Sequence, residues 1–156
     1  MAPSAGSRPG LFSQLVVQAM LDHPVIVFRK GERSIDSRMP RRLRAEIGPR
    51  LVREGASVSG TVALRNLGDT TWLGGGEHVG QVRVGIQLLN AERRLLDQEF
   101  SRTRLTRNVV PGGALEIAVE MTLPDASTRY VLKVDLVDEG ICWFEDVGSR
   151  PAYVEV

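Results

Sequence analysis

The chain has 156 residues, 42% of them hydrophobic and 25% charged, which suits one folded domain with an extension and argues against a disordered, collagen-like or coiled-coil chain. The net charge of +1 is unevenly spread: residues 1–50 carry nine Lys or Arg against four acids, about +5, and residues 51–156 eleven against fifteen, about −4. The cations thus favour the N-terminal part, and the aromatic-studded motifs of RNA binders are missing, so no nucleic-acid partner is expected.

Residues 1–10, MAPSAGSRPG, are rich in Pro, Gly, Ser and Ala and read as a flexible lead. They lack the cationic and apolar regions of a secretory signal, and no apolar run long enough to span a bilayer follows, so a cytoplasmic location without a membrane span is the expectation. Residues 11–42 come next. Leu11, Leu15 and Ala19 recur at a spacing of four, as do Phe12, Val16 and Met20, which predicts an apolar-faced helix over 11–21 that Asp22-His23-Pro24 stops. VIVF, 25–28, predicts a short strand, and a basic linker with Gly31 and Pro40 as punctuation leads on through RRLR at 41–44. A helix with more than one apolar stripe needs a cover. It is therefore a docking element for a partner protein or a preceding enzyme domain.

From Leu43 to Val156 the period changes to two. Val58, Gly60, Val62 and Leu64 share one face, as do Val82, Val84, Ile86 and Leu88, and Leu115, Ile117, Val119, Met121 and Leu123 alternate with polar or small residues. Tyr130, Leu132, Val134 and Leu136 point one way with Lys133 and Asp135 on the polar side, and AYVEV, 152–156, ends the series. LGDTTWLGGGEH, LLNAERRLL, VVPGG, LPDAST and VDEG supply turn chemistry between the runs. Without helices long enough for crossovers, this predicts an all-β, immunoglobulin-like antiparallel β-sandwich of about seven to eight strands, preceded by the short helix and linker. One cysteine, Cys142, rules out an intrachain disulfide, so packing has to hold the sheets together.

RAEI, then Glu54-Gly55 between strands, RNLGDTTW, VVPGG, the following LP, RYVLKVDLVDEG, and WF with Gly148 nearby resemble a bacterial Ig-like accessory module. Such modules end larger proteins, including glycosyltransferases and methyltransferases of cell-surface polysaccharide pathways. The set is also similar to the four-tryptophan Ig-like domain of selective-autophagy receptors, although this chain has two Trp. The resemblance spans about 43–156. It implies a non-catalytic binding or interaction module, accessory to a polysaccharide-pathway enzyme, with no cofactor.

Individual motifs add candidates rather than a constellation. GGGEH, 74–78, lacks the Lys-Ser or Lys-Thr of a P-loop and reads as a connecting loop. Asp135, Asp138, Glu139, Glu145 and Asp146 crowd one segment, but not at EF-hand spacing, and Asp138-Glu139-Gly140 reads as a hairpin turn, so no metal is expected. Cys142 in ICWF reads as a small buried hydrophobe. A hydrolase would have to draw on Glu77, His78, Asp138 or Glu139. Arg102 and Arg104 alternate on one strand and offer guanidinium forks to an anion, while ICWF, if extended, turns one of Trp143 and Phe144 inward and the other outward. Trp143, Arg102 and Arg104 are therefore the candidate ligand contacts, with a glycan as the alternative partner. In NLGDTTW, Asn66 and Gly68 are expected to supply unusual backbone angles, Thr70 and Thr71 to satisfy the corner's backbone, and Trp72 to turn inward.

Overall fold

The computed structural model describes residues 35–156; the lead, the helix predicted over 11–21, the strand over 25–28 and the first part of the basic linker, 29–34, lie outside the described residues. The alternating runs become strands because each can bury one face while the ladder satisfies its backbone. In chain order they are β1 (Ala45–Glu54), β2 (Ser57–Asn66), β3 (Val82–Asn90), β4 (Leu95–Arg104), β5 (Ala114–Thr122), β6 (Tyr130–Asp138), β7 (Cys142–Trp143) and β8 (Ala152–Glu155). All strand pairs are antiparallel.

Two sheets form a sandwich. One has the order β1-β2-β5, and the other β4-β3-β6, with β7 and β8 sharing the free edge of β6. Pairing of Val84 with Leu136, Ile86 with Val134 and Leu88 with Leu132 puts the predicted apolar faces of β3 and β6 side by side. Val58 opposite Met121 and Val62 opposite Ile117 do the same across β2 and β5. These faces meet in one core. Trp72 and Phe144 complete it, their rings edge to face with centroids 5.5 Å apart.

Two strands depart from the simple pattern. The inward positions of β1 include Pro49 and Arg53, which hide its alternation. β4 pairs with β3 through register shifts between Ile86 and Leu89, and its first five residues are exposed. Bulges and charges on an edge strand discourage pairing with another chain. No helix among the described residues is long and apolar enough to cross a membrane.

The NLGDTTW corner turns Trp72 fully inward, but by a different device from unusual angles. Neither Asn66 nor Gly68 has a positive φ. Asn66 works through its buried amide: Nδ2 donates to the carbonyls of Thr70 (2.9 Å) and Val109 (3.0 Å), and Oδ1 accepts from the Gly68 N–H (3.0 Å). Gly68 is required by crowding, because a Cβ there would overlap the Arg42 carbonyl. The Thr70 hydroxyl accepts from the Arg41 N–H and donates to Asp69, whereas Thr71 bonds through its backbone to Ile35 and Ser37.

Candidate functional site

The outward face of the larger sheet gathers the residues richest in chemistry. Gly85 is opposite Arg102 of β4 on one side and Asp135 of β6 on the other, and Trp143 is opposite Val137 one strand further along. Alternation therefore places Arg102, Gly85, Asp135 and Trp143 on one face. Phe144 takes the inward position, as an extended ICWF requires.

Gly85 provides the seat of this cluster. A Cβ there would stand 2.5 Å from Trp143 Cζ3 and 2.7 Å from Arg102 Nη1. The missing side chain lets the indole edge and the guanidinium lie directly on the sheet. The Arg102 guanidinium carbon is 4.3 Å from the centre of the Trp143 ring system, a cation–π contact. Its Nη2 pairs with Glu99 at 2.6 Å and its Nε with Glu139 at 3.3 Å. Glu139 also faces Arg83 Nε at 3.7 Å. Trp143 is left only 9% exposed.

Beside this layer Asp135 is wholly buried. Desolvation pushes its carboxyl up to about 6, opposed by hydrogen bonds from the Glu145 and Leu136 N–H groups. Asp135 thus lies on the polar side of β6 without reaching solvent. Lys133 and Glu145 pair next to it at 2.5 Å. Asp138 ends the strand on the inward face, fully buried, with neither carboxylate oxygen hydrogen-bonded. Burial, reinforced by the charges of Asp36 and Glu139, raises it to about 7.

The structure brings Trp143 and Arg102 together and engages both internally. The ring faces a guanidinium instead of an open groove, and the guanidinium is already held by two carboxylates. Arg104 is separate, half exposed and paired with Glu77. His78 is exposed on the 74–80 loop, whereas Asp138 is sealed inside, so no acid–base pair converges from the residues a hydrolase would use. Burial, then the charges of Asp138, Asp146 and Asp135, raise the Cys142 thiol above its ordinary value, which suppresses the nucleophilic thiolate. No group of three or more His, Cys, Asp or Glu among the described residues is arranged to hold a metal.

Sequence reasoning passed over Gly85, although a glycine inside an apolar alternation is a signal of close approach. Gly85→Ala is expected to lift Trp143 off β3 and to cost about 1–3 kcal/mol, as overpacking does. A displaced Trp143 indole N–H resonance, together with a lower urea midpoint, is the check; an unchanged indole resonance would mean that the glycine is not the seat.

No family model matches the sequence, and no curated protein matches it. Among solved structures, β-glucosidase 3B from Thermotoga neapolitana in complex with glucose aligns with 73% of this chain and 16% of its own at 13% identity, with a TM-score of 0.39. The same enzyme in complex with glycerol aligns over the same shares at 13% identity and a TM-score of 0.38.

Proposed function

We propose that residues 43–156 form a non-catalytic, immunoglobulin-like interaction module, accessory to a cytoplasmic enzyme of a polysaccharide pathway and acting by protein docking. The observation that carries this reading is the contrast between the sheet face and one end of the sandwich. On the face Arg102 and Trp143 are engaged with each other, and Arg102 with Glu99 and Glu139. At the end, Met39 is 84% exposed, Val79 66% and Ile141 40%, with Val79 against Gly140. Exposed apolar loop tips are what a partner protein covers. The strand order β1-β2-β5 and β4-β3-β6, in which the connections β2–β3, β4–β5 and β5–β6 cross between sheets, supports the immunoglobulin-like description. The apolar repeats of 11–21 supply a second docking element in the sequence.

The test is calorimetric titration of the full chain against glycosyltransferases and methyltransferases encoded next to it. Saturable binding is expected, weakened about tenfold or more by Val79→Asp with Ile141→Asp. Absence of binding to any of them would refute the docking role. The second reading, a glycan held by Trp143 and the Arg102–Arg104 face, requires Arg102 to leave the ring. A sugar that shifts the Trp143 indole resonance would favour it.

A further inference from the structure

At the opposite end of β6 lies a cleft of about 480 Å³ between the 124–129 loop, the β3–β4 turn and β8, lined among others by Ala91, Ser127, Thr128, Arg129 and Glu155. This volume falls in the range of small-molecule sites. Its loop wall is fixed in advance. Arg53 reaches across from β1 and donates to the carbonyls of Gly55 (2.7 Å), Thr128 (2.8 Å), Asp125 (3.1 Å) and Ala126 (2.7 Å). Asp125 in turn accepts the Ser127 and Thr128 hydroxyl hydrogens at 2.8 and 2.9 Å. With their hydrogens committed, the two hydroxyls keep oxygen lone pairs for a ligand that donates.

The charged groups of the cleft contrast with those on the sheet face. Arg129 and Glu155 are both exposed, and neither side chain makes a hydrogen bond or ion pair among the described residues. One offers a guanidinium fork that fits a carboxylate, the other a carboxylate that accepts hydroxyls. At the rim, the turn that carries Ala91 also holds Arg93 at φ 61°, in the left-handed region. This conformation sets the Arg93 guanidinium 4.7 Å from the centre of the Tyr153 ring. Tyr153 and Glu155 share one face of β8, opposite Lys133 and Val131.

We infer that this cleft binds a sugar acid, with its carboxylate on Arg129 and its ring hydroxyls on Glu155, Ser127 and Thr128. A simple anion would leave the three acceptors unused, and a neutral sugar would leave the guanidinium unpaired. The inference does not depend on the docking role, which concerns the other end of the sandwich.

The test is an amide NMR titration of the full chain with glucuronate, glucose and acetate as probes. Glucuronate is expected to shift the amides of 127–131 and 155 with a millimolar Kd, about tenfold or more tighter than either other probe. Arg129→Gln is expected to weaken glucuronate about tenfold with Tm unchanged, since the exposed side chain has no internal partner. The inference fails if glucuronate shifts none of these amides up to about 50 mM, if acetate alone binds as well, or if Arg129→Gln binds glucuronate as tightly as the parent chain.

Discussion

Asn66→Ala is expected to lower the unfolding free energy by about 2–4 kcal/mol, more than the loss of one polar side chain on a surface. The reason is what it leaves behind. Asn66 is 1% exposed, and its amide is bonded to the Thr70 and Val109 carbonyls and the Gly68 N–H. Its own backbone continues the link, with N–H to Gly113 and carbonyl from Gly112. Truncation leaves the Thr70 carbonyl without its partner, the Val109 carbonyl with only the Trp72 N–H and the half-buried Gly68 N–H unpaired, and a fully buried orphan costs roughly 1–3 kcal/mol. Trp72 pairs through its backbone with Val109, so the same change loosens the indole in the core. Urea unfolding followed by near-ultraviolet circular dichroism reads both effects. A loss below about 1 kcal/mol would show that the corner is held by something other than this amide.

Stability is expected to fall as pH rises from about 4 to 7. Asp138 ionises near 3.8 when unfolded but near 7 when folded, because its carboxyl is sealed inside without a hydrogen-bond partner and faces Asp36 and Glu139. The folded state therefore holds the proton more tightly. Its advantage is complete below the lower value, declines by up to about 1.4 kcal/mol per pH unit, and levels off above 7 after a total on the order of 4 kcal/mol. Asp135, raised to about 6 by desolvation, adds to the decline over the lower part of that window. At the acid end the sign reverses. The Arg38 hydrogen bond lowers Asp36, and backbone hydrogen bonds lower Asp69 and Asp125, so protonating them below their ordinary range removes stability. A mildly acidic optimum follows. Asp138→Asn, which keeps the shape and cannot ionise, is expected to flatten the limb between pH 5 and 8 in urea titrations. Equal wild-type stability at both pH values would contradict the buried-carboxyl account.

The strands differ in how openly their residues announce them. β2, β3, β5 and β6 bury one face against the other sheet, so a period of two is written into them. β1 carries Pro49 and Arg53 at inward positions, and Arg53 is there because its guanidinium is needed by the 125–128 carbonyls. β4 is irregular because its register slips against β3. The pairing of Arg102 with Trp143 is partly legible, since the sequence puts Arg102 on a strand face and turns one of Trp143 and Phe144 outward; which of the two it is depends on the register with β6. The closure of Arg102 and Trp143 over Gly85 is not, because it depends on a register across three strands.

Local chemistry by itself determined the all-β class, four of the long strands, the inward Trp72 and the opposite facing of Trp143 and Phe144, since alternation and turn residues act over a few neighbours. Only the tertiary structure decided which groups are free. Asp135, Asp138, Arg102 and Arg129 are charged residue types alike in the sequence, yet two are buried, one is clamped by an indole and two glutamates, and one stands open beside a cleft. Solvation and pairing set those outcomes. Both depend on residues brought together from distant strands.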